Sequence, residues 1–187
     1  TIRLGGALDP SGNLQPQALE RGLDCLRRYA GLMAQVAPEH RRAVATQTLR
    51  EAHNRDIFLS QARTILGCAV ELISGEREAT LIYQGVSSLL PDSAAPRLVI
   101  DIGGRSTEII IGQQSHTQQL ASFALGSVSW SSRFFADGAL NKSNFAQAIA
   151  AAKQALAQAQ FAYPGTAWDC AYASSGTANA VGDALTA

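Results

Sequence analysis

The segment from Asp101 to Glu108, DIGGRSTE, places a carboxylate at each end of a stretch holding two adjacent glycines and two hydroxyls. Glycines let backbone N–H groups approach an anion closely. Carboxylates are hard oxygen ligands suited to Mg2+. Together they describe a place for a phosphate and its metal. An apolar run, Leu98-Val99-Ile100, leads in and another, Ile109-Ile110-Ile111, leads out, so the segment reads as strand, glycine turn, strand. A plain hairpin would use Gly103 and Gly104 for turn geometry alone. The second carboxylate and the Ser106-Thr107 pair favour the site.

Three further polar stretches follow predicted strands: Thr46 to Arg50, Ser74 to Glu78, and Ser174 to Thr177. Ligands of open α/β sheets bind at the carboxyl ends of strands, so the coincidence carries more than any one loop. Ser174-Ser175-Gly176-Thr177 precedes a predicted helix, where its N–H groups and hydroxyls can hold a phosphate or simply cap the helix. Ser74-Gly75-Glu76-Arg77-Glu78 opens another helix. Acidic residues suit a first turn through the helix dipole, and Glu76 or Glu78 can also serve as general base for a water. Arg50 offers a fork of donors for a phosphate chain or a solvated charge. Arg105 puts a long cation inside the glycine turn, aimed either at an anion or at solvent. His40, His53 and His116 are scattered without ligand spacing and read as surface or packing residues. Trp130 and Trp168 read as packing residues. GxxxxGK[ST], GxGxxG and GxSxG are all absent, which removes P-loop, dinucleotide-fold and serine-hydrolase chemistry.

Composition sets the frame for these residues. The 187 residues suffice for one domain or two small ones, and 47% hydrophobic content supports a packed core. A formal net charge of zero gives no global attraction to nucleic acid or a membrane surface. Cys25, Cys68 and Cys170 are isolated, without CxxC or Cys/His spacing, and read as reduced thiols of a cytoplasmic protein. No apolar run has the length to span a bilayer. The first residues, Thr1-Ile2-Arg3-Leu4, read as a strand in mid-flow, as expected of a piece of a longer protein.

The elements that must position the polar loops follow from periodicity. Pro16 opens a helix carrying Leu19, Leu23, Leu26, Ala30 and Met33 through about Val36. Arg42 to Thr46 is a strand. Asn54 is the expected N-cap of a helix with Ile57, Phe58, Ala62 and Ile65 inward, closed by Gly67. Ala69 to Ile73 is a strand, and Ser74-Gly75 opens a helix with Ala79, Ile82, Tyr83 and Val86. The segment LPDSAAP, 90 to 96, breaks all periodicity and is the expected linker. The glycine-turn strands come next, then a strand near 118 to 125, a helix from Gly126 to Phe135, and a long alanine-rich helix from Ser143 to Gln160. A strand at 168 to 173 and a terminal helix complete an α/β pattern with a mixed sheet in each half.

Five blocks, VATQTLREAHNRDIFL, VELISGEREATLIYQGV, LVIDIGGRSTEIIIG, LGSVSWSSRFF and ASSGTANAV, resemble the exopolyphosphatase / guanosine pentaphosphate phosphohydrolase family in order and spacing. That family belongs to the actin-like superfamily of sugar kinases and Hsp70 chaperones. The resemblance implies an α/β, ribonuclease-H-like (actin-like ATPase) fold, two-lobed with mixed sheets and lacking the first strands. Residues 1–93 would be the remainder of the first actin-like domain and 94–187 the start of the second. It further implies Glu78 as the residue activating water and Arg50 at the cleft. Asp101 and Glu108 become the pair for Mg2+ or another divalent cation. Gly103, Gly104, Arg105, Ser106 and Thr107 become the phosphate loop, with Ser175, Gly176 and Thr177 as the second domain's small-residue loop. Arg105 replaces the usual third glycine of DIGGGSTE, and Arg77-Glu78-Ala79-Thr80 stands for EEAR, keeping its second Glu. The implied activity is exopolyphosphatase, releasing terminal phosphate from inorganic polyphosphate, in a protein that is a homodimer when full length. The alternatives are a guanosine pentaphosphate 5'-phosphohydrolase and a non-catalytic polyphosphate- or nucleotide-binding sensor.

Overall fold

Pro16 begins helix α1 (Pro16–Leu32), its fixed φ suiting the first helical position. The computed structural model describes residues 4 to 186, and the chain forms two compact units, Thr1–Ile73 and Ser74–Ala187. In the first unit, β1 (Ala43–Ala45) and β2 (Val70–Leu72) pair in parallel, with α2 (Gln47–Glu51) and α3 (Arg55–Leu66) between them in sequence. The first unit's core gathers Leu14, Leu23, Ala45, Leu49, Ala52, Phe58 and Ala62. Gly22 lets α1 approach α3, because a Cβ there would lie 2.7 Å from the Phe58 ring.

Several expectations for this unit are corrected. Helix α1 ends at Leu32 rather than near Val36; Met33 turns out of the helix, and Pro38 opens a separate short turn. The stretch after β1 is the short helix α2 rather than a loop. Asn54 precedes α3, but its side chain does not cap it. Its Oδ1 accepts from Leu14 N at 2.8 Å and its Nδ2 donates to Leu14 O at 3.0 Å, tying two distant segments. Ile57 faces outward at 54% exposure, because Phe58, Ala62 and Leu66 form the buried stripe. Gly67 closes α3 in the left-handed region at φ 66°, as expected. Leu4 opens a short 3-10 turn, and Thr1, Ile2 and Arg3 of the expected first strand lie outside the described residues.

The second unit begins with α4 (Gly75–Ser88), capped by Ser74, whose Oγ accepts from Arg77 N at 3.2 Å. Four strands follow: β3 (Arg97–Ile102), β4 (Thr107–Gln113), β5 (His116–Phe123) and β6 (Cys170–Ser174). They lie in the order β5-β4-β3-β6, antiparallel except for the parallel β3–β6 pair. Helices α5 (Ser127–Phe134), α6 (Lys142–Ala155) and α7 (Ala157–Ala162) precede β6, and α8 (Ser175–Thr186) follows it. The expected single helix from Ser143 to Gln160 is broken at Leu156. This break lets Leu156 and Ala159 line one apolar cavity of about 700 Å3 with Leu98, Ile100 and Ile109 of the sheet.

The alternation of β3 separates two faces. Val99 pairs with Ile110 and Tyr172, and Ile110 with Leu120, giving an apolar row covered by Ala79 and Tyr83 of α4. Two residues further along each strand on the same face, the row is polar: Ser174, Asp101, Glu108 and Ser122, one from each of β6, β3, β4 and β5. Among the described residues, no helix is long and apolar enough to cross a membrane.

Candidate active site

The polar row lies where β3 and β6 end at their carboxyl termini. Asp101 pairs with Ser174 on one side and Glu108 on the other, and Glu108 pairs with Ser122. Each carboxylate accepts a hydroxyl from its outer neighbour: Ser174 Oγ donates to Asp101 Oδ2 at 2.5 Å, and Ser122 Oγ to Glu108 Oε1 at 2.7 Å. These are charge-assisted bonds, the stronger kind. Glu108 is only 1% exposed, whereas Asp101 is half-buried. Burial pushes the Glu108 carboxyl above its ordinary range; hydroxyls of Ser122 and Ser106 oppose that, while the charges of Glu78 and Asp101 push it further up. The sequence pattern therefore brings Glu78, Asp101 and Glu108 into one electrostatic neighbourhood. Glu78 reaches it because α4 covers this face of the sheet, with Glu78 in its first turn next to the buried Ala79.

The turn from β3 to β4 comprises Gly103 to Ser106, closed by Gly103 N donating to Ser106 O at 3.0 Å. The amino end of α5 is spent on its carbonyls. Gly103 O accepts from Ser127 N at 3.0 Å and Ser127 Oγ at 3.3 Å; Gly104 O accepts from Val128 N at 2.8 Å and Ser129 N at 3.1 Å. No peptide bond is cis among the described residues, and a trans peptide points its N–H opposite to its C=O. The N–H groups of Gly104 and Arg105 are thereby directed away from α5, the orientation an oxyanion on the other side requires. Neither Gly103 nor Gly104 adopts the left-handed backbone. The turn thus follows ordinary backbone geometry, in which Arg105 replaces a family glycine without positive-φ strain.

Residues 1–187 match the Ppx/GppA phosphatase family along their whole length. The chain belongs to that family. It is 43% identical over 186 residues to a guanosine-5'-triphosphate,3'-diphosphate pyrophosphatase of Aeromonas salmonicida, covering 100% of this chain and 37% of that protein. The protein of that name from Vibrio vulnificus is 42% identical with the same coverage. A solved exopolyphosphatase-like protein matches with TM-score 0.85 and 31% identity, over 95% of this chain and 56% of that one. The Ppx-GppA enzyme of Aquifex aeolicus matches with TM-score 0.71 and 27% identity, over 94% and 57%. The expected α/β fold with a mixed sheet is thus shared with the family's solved structures, and the chain spans little more than a third of its curated relatives.

The remaining residues implied by the Ppx/GppA resemblance are placed as follows. Arg50 belongs to the first unit, where its guanidinium donates to Ile73 O at 2.6 Å and to Gln47 Oε1 at 2.6 Å. Thr107 is buried and its hydroxyl donates to Leu125 O at 2.6 Å. Ser175 stands at φ 73° and donates to Ile102 O at 2.6 Å, while Thr177 Oγ1 lies 3.2 Å from Ser127 Oγ. These hydroxyls fasten the β6–α8 junction to the glycine turn. Gly176 has open space around it.

Ser174, expected only as part of a polar loop, seats Asp101. Two contributors escaped sequence reasoning. Ser122 seats Glu108. Gly126 packs on the turn itself: a Cβ there would lie 2.3 Å from Arg105 N and 2.4 Å from Gly104 C. His40, His53 and His116 are exposed, the three cysteines are free, and Trp130 Nε1 donates to Ala148 O at 3.2 Å.

Whether this donor set fits a divalent cation is a question of ligand number. Among the described residues, no group of three or more His, Cys, Asp or Glu is placed to hold a metal alone. A half-buried Asp101 at the end of β3 suits Mg2+, which typically uses one or two carboxylates and completes its shell with phosphate oxygens and water.

Proposed function

We propose that the protein carrying this chain hydrolyses the terminal phosphoanhydride of guanosine 5'-triphosphate 3'-diphosphate. Water adds to the terminal phosphorus, the bond to the bridging oxygen breaks, and orthophosphate and guanosine 3',5'-bis(diphosphate) leave. The observation carrying the hydrolase reading is Glu78 sharing one electrostatic neighbourhood with Asp101 and Glu108 beside the Gly103–Ser106 turn. The choice of substrate over inorganic polyphosphate, the activity first expected, is supported by relatives 41–43% identical that bear the guanosine pyrophosphatase name.

In this reading Glu78 orients the water and takes its proton. The Gly104 and Arg105 N–H groups hold the oxygens of the transferring phosphoryl in line. Asp101, fixed by Ser174, would hold a Mg2+. The ion, when bound, supplies positive charge against the phosphoryl oxygens. Retention of Glu78 in this setting supports catalysis over a sensor. Steady-state kinetics of the complete gene product on both substrates test the proposal. A kcat/KM for the nucleotide at least tenfold above that for polyphosphate is expected; the reverse ratio restores the exopolyphosphatase reading, and tight binding without turnover of either supports the sensor.

A further inference from the structure

The resemblance pairs Glu108 with Asp101 at a metal, yet the two carboxylates differ in burial and in the hydroxyls they accept. Asp101 is half-buried at the end of β3 and holds one hydroxyl, that of Ser174. Glu108 is 1% exposed and receives hydroxyls from two directions: Ser122 on β5, and Ser106 in the turn. Ser106 is itself only 5% exposed. A cation that keeps part of its water shell needs a ligand oxygen that reaches solvent-filled space, which Glu108 does not offer. The turn is held on one side by α5, through the carbonyls of Gly103 and Gly104. Its other end, Ser106, is held by Glu108. The strand β5 supplies a rigid anchor for that carboxylate through Ser122, which stands opposite Glu108 in the β4–β5 register.

We propose that Glu108 is a positioning residue, not a metal ligand: it fastens the far end of the phosphate turn through Ser106 and is itself anchored by Ser122. The proposal rests on the phosphohydrolase reading only in taking the Gly103–Ser106 turn as the phosphate-binding element. The loss of either hydroxyl link frees the turn without removing any group that faces the cation. Phosphate affinity then falls while metal affinity stays.

The test uses the complete gene product as wild type, Ser122→Ala, Ser122→Thr, Glu108→Gln and Asp101→Asn. Two affinities are measured: Mn2+ without substrate, by electron paramagnetic resonance, and inorganic phosphate in the presence of Mg2+, by calorimetry. Ser122→Ala is expected to weaken phosphate binding about tenfold, the scale of one lost charge-assisted hydrogen bond. Its Mn2+ affinity should stay within about twofold of wild type, and Ser122→Thr, which restores the hydroxyl, should recover phosphate binding. Glu108→Gln keeps the side-chain shape and should likewise leave Mn2+ affinity within about twofold, whereas Asp101→Asn should weaken it about tenfold or more. A tenfold loss of Mn2+ affinity in Glu108→Gln would overturn the proposal, as would unchanged phosphate affinity in Ser122→Ala or wild-type protein that binds neither probe. Wild-type protein that binds both probes and hydrolyses neither guanosine pentaphosphate nor polyphosphate sinks the hydrolase reading, while the binding pattern still decides the role of Glu108.

Discussion

Asp101 and Glu108 stand directly opposite each other on antiparallel strands, and each takes a serine hydroxyl from the strand beyond it. Like charges placed opposite on a sheet are destabilising, and here one of the two is also removed from water. The arrangement is therefore costly to the fold, and it stands at the carboxyl ends of β3 and β6. Its consequences can be measured.

The pH dependence of stability has a definite sign. Burial first, then the charges of Glu78 and Asp101, raise the folded-state pKa of Glu108 above its ordinary value of 4.5. Between the ordinary and the raised value the native state holds more protons than the unfolded state, so stability falls as pH rises through that window. Thermal melts from pH 4 upward should show a decline in Tm that Glu108→Gln flattens. A wild-type Tm that climbs through the window and is matched by the variant contradicts the assignment.

Gly126 should tolerate no side chain. Its missing Cβ would fall on backbone atoms of Gly104 and Arg105, at 2.4 and 2.3 Å, which cannot swing aside. Gly126→Ala should cost about 3 kcal/mol, at the upper end of overpacking. Gly176→Ala meets nothing within 4 Å and should change stability by less than about 0.5 kcal/mol. Urea denaturation of the two variants compares them directly, and equal midpoints would refute the packing argument.

Tyr83 offers a gain rather than a loss. It is fully buried against Gly112 on the α4-covered face, and among the described residues its hydroxyl has no hydrogen-bond partner. A buried hydroxyl without a partner costs free energy. Tyr83→Phe should stabilise the fold by about 1 kcal/mol, the lower range of that penalty. A drop in the denaturation midpoint would mean that the hydroxyl is satisfied by ordered water.

The legible parts of this fold are those that local chemistry determines. DIGGRSTE could be read because its alternation fixes the faces of β3 and β4 and its adjacent glycines mark where the turn falls. Gly67, Pro16 and Ser74 announced their helix ends for equally local reasons. Ser122 could not be read: a serine within QQLAS has no local signal, and only the β4–β5 register brings it to Glu108, fourteen residues away in sequence. Ser174 and Ser175 were legible as a polar loop, but their partners, Asp101 and Ile102 O, lie seventy-three residues back. Helix propensity alone extended the alanine-rich helix past Leu156, because the demand that turns it, apolar cover for Leu98 and Ile100, is tertiary. Ile57 and Phe58 are both large and apolar, and packing against Gly22, not pattern, decides which faces inward.

Ser174 gives a test of how Asp101 is oriented. Its hydroxyl is the donor to Asp101 Oδ2, and its removal frees the carboxylate to rotate without altering charge. Ser174→Ala should lower kcat/KM for guanosine pentaphosphate about tenfold and raise the Mg2+ concentration for half-activation, the range seen for groups that orient ligands from behind. Ser174→Thr should recover most of both. Unaltered metal dependence in the alanine variant would separate Asp101 from the cation.

Glu78 carries the chemical step in this reading, and its removal should separate binding from turnover. It sits in the first turn of α4, next to the buried Ala79. Asp101 and Glu108 each accept a serine hydroxyl, and in this reading Glu78 is the group that accepts a proton from water. Glu78→Gln preserves volume and removes that capacity. Its kcat should fall by roughly 10^2 to 10^4, the contribution of a positioned general base, while phosphate affinity changes by less than about twofold. A parallel loss of kcat and phosphate affinity would place Glu78 at the substrate instead, and near-wild-type kcat would remove it from the reaction altogether.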